Sequence, residues 1–469
     1  MSAPAAARPA AAPPAPVRLR PAERLRLLCD PGTLRLDEVP AGGPVPSVLG
    51  AAGDVGGRPV ACYAHDAAVA GGSVGAAEAD VVVATLRRAR RDGVPVVGFV
   101  ESAGARLQEG ALGLDAYARI LFEDVAGQGV VPQVSVVTGT AAGGGCYSPA
   151  LTDFIVMTRD ATMFLTGPRV VREALGEDVA PAELGGARVH ERNGVCHVVA
   201  EDEAEAITVV QELLGHLPSH AGGAVPQQPA AAPAPGRPDA FVPRDPRRVY
   251  DIRDVARTIV DGGRLLEIAP GWATNLVTAF ARLGGQSIGV VANQPRSLGG
   301  ILDAEAARKG AAFVDACTAF GVPLVVLVDT PGFMPGRRQE TNGIIRHGAG
   351  LVRAFAASPV PRATVILRKA YGGAYIAMNS AGLGATVTFA WPSAEIGIMG
   401  ARAAARILGR RDIAAAVDPG AALDGHARRY GEQHLSVGAA RAAGLVDEVV
   451  DPGLTRARLA AALARPARR

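Results

Sequence analysis

The sequence predicts a layered α/β fold built twice in tandem, and three observations carry that expectation. Landmark residues recur at one fixed offset. Short apolar strands ending in glycine-bearing turns alternate with alanine-rich helical patterns. A stretch dense in Pro, Ala and Gly divides the 469 residues nearly in half. That length exceeds one ordinary core, and two domains of roughly 200 residues each are the natural division.

In chain order, the opening "MSAPAAARPAAAPPAPVRLRP" has no continuous apolar run and is interrupted by proline throughout. It reads as a disordered tail over residues 1–20, not as a targeting segment. The first domain is expected over 21–219, with strands at 94–100 and 134–138 and a helix at 206–216. "VPVVGFVESAGARLQ" (94–108) is a short apolar strand running into a glycine turn. Residues 220–246, "HAGGAVPQQPAAAPAPGRPDAFVPRDP", cannot bury a core and read as an interdomain linker. The second domain follows over 247–469. There "VPLVVLVDTPGFMPG" (322–336) repeats the first pattern, with Val94, Pro95, Glu101 and Gly104 falling on Val322, Pro323, Asp329 and Gly332, a constant 228 residues apart. Further on, "PQVSVVTGTAAGGGCYSPA" (132–150) and "PRATVILRKAYGGAYIAMNSA" (361–381) each lead a strand into a glycine cluster, and the same offset takes Tyr147 onto Tyr375. Matching landmarks at one period argue for a tandem duplication.

Composition excludes several functions. A net charge of +3 is too weak to argue for nucleic acid or a membrane surface. Apolar runs such as 322–328 are far shorter than the ~20 residues a span needs. The five cysteines (Cys29, Cys62, Cys146, Cys196, Cys317) form no CxxC pair, which fits a reducing cytoplasm and supports neither a zinc ribbon nor a disulfide framework. There is no GxSxG elbow, no P-loop and no GxGxxG after a strand. The histidines show no ligand spacing, so no metal is predicted. His190 and His197 fit a structural role in a turn between strands.

What remains are the two glycine clusters. Glycine lets another group approach the backbone, and the first amides of a following helix stay free to donate. Each cluster could hold a developing oxyanion. Close helix packing or a tight turn explains an isolated glycine pair equally well.

At these residues the chain resembles the carboxyltransferase (β) subunits of biotin-dependent acyl-CoA carboxylases. The likeness runs from about residue 21 and includes "ARLQEG" (105–110), "AGGGCYSPALTDFIVM" (142–157), "DTPGFMPG" (329–336), "NGIIRHGAGL" (342–351), "RKAYGGAY" (368–375) and "LGATVTFAWPSAEIGIMGARAA" (383–404). The resemblance implies two crotonase-like domains, a ring of six copies, acyl-CoA along the first half and a carboxybiotin arm along the second. In that family carboxybiotin releases CO2, and its ureido group takes the α-proton of the thioester, so the protein needs amides and no side-chain base. Carried over by motif, Gly143 and Gly144 would form one oxyanion pair and Gly373 with Ala374 the other, two residues out of step under the 228 offset. Tyr147, Tyr375 and Ile376 would line the substrate pocket. Ile376 stands where propionyl-preferring members tend to carry an acid, which points to acetyl-CoA or longer chains as well as propionyl-CoA. Arg106 is a candidate contact for a CoA phosphate, beside Ala103 and Gly104.

Two departures stand out. The family's "SGGAR" is "SAGAR" here, so Ala103 introduces a Cβ at the expected CoA site, and residues 410–435 look shortened. No methionine precedes a lysine and no ATP-binding loop is present, so a biotin carboxylase and biotin carrier must come from partner chains. The expected activity is carboxylation of acetyl- or propionyl-CoA. Decarboxylation or transcarboxylation from malonyl- or methylmalonyl-CoA, and a non-catalytic paralogue, are the alternatives.

Overall fold

The computed structural model describes residues 18–38 and 46–464, so the expected tail lies almost wholly outside the described residues. The first half forms a sheet from β1 (Arg35–Leu36), β2 (Val48–Val55), β3 (Arg58–His65), β4 (Val96–Ser102), β5 (Gln133–Ala142), β6 (Phe154–Thr158), β7 (Thr162–Phe164) and β8 (Val198–Ala200). The second half repeats it with β9 (Leu266–Glu267), β10 (Leu276–Leu283), β11 (Gln286–Asn293), β12 (Leu324–Thr330), β13 (Arg362–Tyr371), β14 (Val387–Ala390), β15 (Glu395–Gly397) and β16 (Glu448–Val449). The strand orders are the same: β1-β2-β3-β4-β5-β6-β8 with β7 on β5, and β9-β10-β11-β12-β13-β14-β16 with β15 on β13. An antiparallel hairpin opens each sheet, and parallel strands joined through helices complete it. The central strands β4 and β12 are buried along their whole length, which is why they read as unbroken apolar runs.

The register refines the internal repeat. Val96 pairs with Gln133 in the first sheet and Leu324 with Arg362 in the second. The offset is therefore 228 over β10 to β12 and 229 along β13. One extra residue between β12 and β13 accounts for the slip.

Residues 220–246 connect the halves at the expected place, but as an ordered strap and not as a loose linker. Gln228 N–H donates to Gly285 O (3.0 Å) and Ala234 N–H to Arg257 O (3.0 Å). Prolines leave the strap few N–H groups, and arginines satisfy some of its carbonyls: Arg282 reaches Pro226 O (3.0 Å) and Arg456 reaches Ala231 O (2.9 Å). The halves are also joined directly, since one apolar core runs through both sheets. Phe280 of β10 meets Phe154 of β6 edge-on at 5.8 Å and stacks against His216 at 5.7 Å. Burial lowers the His216 pKa to about 3 and that of His197 to about 4, so both imidazoles are neutral and pack as near-apolar rings. His190 lies within a short helix, Ala187–Asn193, and His197 follows it immediately before β8. The segment is thus a helix-to-strand connection, not a turn between two strands, and both rings bond to backbone.

Candidate active site

Each half builds the same feature at the end of its longest strand. β5 runs into Gly143 at φ 56° and then helix Gly144–Leu151. β13 runs into Gly372 at φ 60°, which starts helix Gly372–Ala377. A positive φ turns the chain sharply out of the sheet, and glycine adopts it without steric cost. The first amides of each helix then have no intrahelical acceptor and point outward.

With the register at 229, Gly143 corresponds to Gly372, Gly144 to Gly373 and Gly145 to Ala374. Burial agrees: Gly144 and Gly373 are accessible while Gly145 and Ala374 are buried. Two corrections follow. The amide of Gly143 donates to Phe164 O at 3.2 Å, so its backbone serves chiefly to make the turn and the free amides begin at Gly144. The counterpart of Tyr147 is Ile376, not Tyr375, and each is 49% exposed. Tyr375 corresponds to the buried Cys146 and packs half-buried against the core, with its hydroxyl lacking a partner. The sequence hides that Gly145 is the counterpart of Ala374, because one inserted residue separates the clusters from the landmarks used to align them.

Gly373 and Ile376 border a cavity of about 470 Å³ with Phe333, Met334, Ile344, Ile345 and Val352. Glu340, at its rim, is the only acid among its lining residues. A Cβ on Gly373 would stand 3.6 Å from the Phe333 ring, an ordinary contact. The chain itself therefore has room for a side chain there.

The turns after the central strands are built alike. Ser102 Oγ accepts from Gly104 N–H at 3.2 Å, and Thr330 Oγ1 accepts from Gly332 N–H at 3.3 Å. Ala103 keeps an ordinary backbone with its methyl exposed, so the Cβ is accommodated without strain. Arg106 is not a free cation. Its guanidinium donates to Glu78 (2.6 Å), Ser73 O (2.8 Å) and Glu109 (3.4 Å), so it braces this turn.

Among the described residues no group of three His, Cys, Asp or Glu side chains could hold a metal ion. No helix among them is long and apolar enough to cross a membrane.

Two repeated crotonase-like halves, each starting a helix with unpaired backbone amides at a glycine turn, and a cavity of about 470 Å³ beside the second, define the class of the fold. The carboxyl transferase domain family matches residues 34–469. The chain is 46% identical over 424 residues to the methylmalonyl-CoA carboxyltransferase 12S subunit of Propionibacterium freudenreichii subsp. shermanii, covering 90% of this chain and 81% of that one. It is 44% identical to the propionyl-CoA carboxylase carboxyltransferase subunit of Haloferax mediterranei, covering 90% and 82%. The transcarboxylase 12S crystal structure, described as a hexamer assembly with methylmalonyl-coenzyme A bound, superposes with a TM-score of 0.89 at 43% identity, covering 96% of this chain and 91% of that one. The chain belongs to the carboxyl transferase family and is an acyl-CoA carboxyltransferase.

Proposed function

We propose that the chain moves a carboxyl group between biotin on a partner protein and the α-carbon of a short acyl-CoA, acetyl-CoA or propionyl-CoA, giving malonyl-CoA or methylmalonyl-CoA. The carrying observation is the pair of equivalent helix starts whose first amides are unpaired. The amides of Gly373 and Ala374 hold one developing oxyanion, and those of the Gly143–Gly145 turn, centred on Gly144, hold the other. The lining of the cavity beside Gly373 holds no buried side-chain base, which suits a reaction whose base arrives with the cofactor. When bound, carboxylated biotin supplies both the carboxyl group and that base. The apolar cavity beside Gly373 fits such a flat, weakly polar ring system, and Ile376 on its wall fits an acyl pocket without a charge. Tyr147, at the equivalent place, lines the acyl-CoA side.

Transfer in the opposite sense, taking the carboxyl group from methylmalonyl-CoA, is a second reading favoured by the likeness to the Propionibacterium subunit. The same amides serve both directions. The biotin carboxylase and biotin carrier are separate chains in this reading, and the subunit works as a cytoplasmic homo-hexamer.

The test combines purified chain, a biotinylated partner with its carboxylase, ATP and labelled bicarbonate, with acetyl-, propionyl- or butyryl-CoA. Label is expected in malonyl- or methylmalonyl-CoA, and its absence from every acyl-CoA would overturn the reading. Because Gly373 has room for a methyl group, Gly373→Ala should fold normally. The methyl then stands where substrate must approach the amides, and kcat should fall by at least ~100-fold, the scale of losing one oxyanion donor. Near-normal turnover would sink the amide assignment.

A further inference from the structure

We infer that Tyr117 is a positioning residue for the first amide site. It lies in helix Ala111–Gly127, outside both glycine clusters, and is buried. Its ring fills the space that side chains on the amide helix would take. A Cβ on Gly144 would come within 2.6 Å of the ring, and one on Gly145 within 3.1 Å of the hydroxyl. The first turn of the amide helix therefore rests directly on this tyrosine.

The hydroxyl holds the ring in place. Tyr117 Oη and Ser102 Oγ lie 2.9 Å apart and share a hydrogen bond. Ser102 Oγ also accepts from Gly104 N–H. One buried hydroxyl pair thus ties together the ring under Gly144 and the turn that carries Ala103 and Gly104. Amides that stabilise a transition state must already be aimed when charge develops, and a displacement of well under an ångström reduces their effect. The second half is built otherwise. Thr330 keeps the bond to Gly332, but the group against Gly373 is Phe333, which has no hydroxyl. The tether belongs to the first site alone.

This inference rests on the amide reading of the site. Tyr117→Phe keeps the ring and removes only the tether, and Ser102→Ala removes it from the other side. Each should lower kcat by about ten-fold, with KM for acyl-CoA changed by less than about two-fold, when assayed at a temperature where the variant is fully folded by circular dichroism. The double variant should be no slower than Ser102→Ala alone, because that change already breaks the only link Tyr117→Phe removes. A kcat that stays at the parent level while only the melting temperature falls would overturn the inference, as would losses that multiply in the double variant. Gly373→Ala run alongside separates the two readings. If it remains active, the amide reading fails and takes the inference with it. If it is inactive while Tyr117→Phe turns over normally, the inference alone fails.

Discussion

Lys309 is one of only two lysines in the sequence and is buried, with Nζ donating to Trp272 O and Leu276 O at 2.8 Å each. Burial lowers its pKa to about 7. A neutral amine still has two N–H groups, enough for both carbonyls, so losing the proton costs no hydrogen bond. The folded pKa lies below the ordinary value of 10.5, so between pH 7 and 10.5 the unfolded chain binds more protons than the folded one. Stability from this group consequently rises with pH across that window, by up to ~1.4 kcal/mol per unit. Thermal unfolding from pH 7.5 to 9 should show the parent gaining stability relative to Lys309→Met; parallel curves would rule the effect out. At this scale the sequence is most legible where side chains are absent. The glycine clusters stood out because nothing else could do chemistry there, whereas Tyr147 was matched to the wrong partner, since tyrosines at 147 and 375 hide a one-residue slip.

The ends of the central strands show how the repeat diverged element by element. Glu101 in β4 and Asp329 in β12 are equivalent buried acids, and each directly precedes the hydroxyl that holds the following turn. The second half supplies the cation from the adjacent strand: Arg368 of β13 donates to Asp329 at 3.0 Å, with Tyr250 on the same oxygen at 2.9 Å. The first half has Gly139 at the place of Arg368, because a side chain there would run into Glu101. Its cations come from Arg24 of helix Pro21–Leu28, which pairs with Glu101 (3.0 Å) and Glu203 (2.7 Å), and from Arg18 just before that helix, which also pairs with Glu101. Removing Arg24 leaves the buried Glu203 without its cation and Glu101 with Arg18 alone, and a stranded buried charge is costly. Arg24→Gln should cost about 3–5 kcal/mol of stability, read as a lowered denaturant midpoint; a loss below about 1 kcal/mol would show that the pairing is not structural. The strands were readable because their apolar runs are short and bounded by glycine. This exchange of cation sources was not, since Arg24 and Glu101 are distant in sequence and share no local pattern.

For the whole molecule, composition suggested two domains joined by a linker, and the packing runs one apolar core through both. The strap lies along the second half with some of its carbonyls satisfied by arginines, and beneath it a single apolar core passes from one sheet to the other. Long-range packing of this kind leaves no local trace, because a strap rich in Pro and Ala has the same composition whether ordered or loose. Trp272 of the second half also fills the space above Gly194 of the first, where a Cβ would collide with its ring. Phe280 is the natural test of this union, being fully buried and in contact with rings from both sides of the junction. Phe280→Ala should cost about 3–5 kcal/mol, as large-to-small changes in a packed core do. If the halves fold as one unit, calorimetry shows one transition in both proteins, moved as a whole to lower temperature. If they were independent, a second transition from the first half would stay at the parent temperature while only that of the second half moved. The distinction bears on the proposed catalysis, because a rigid junction holds the two glycine-led helix starts of a chain at a fixed separation.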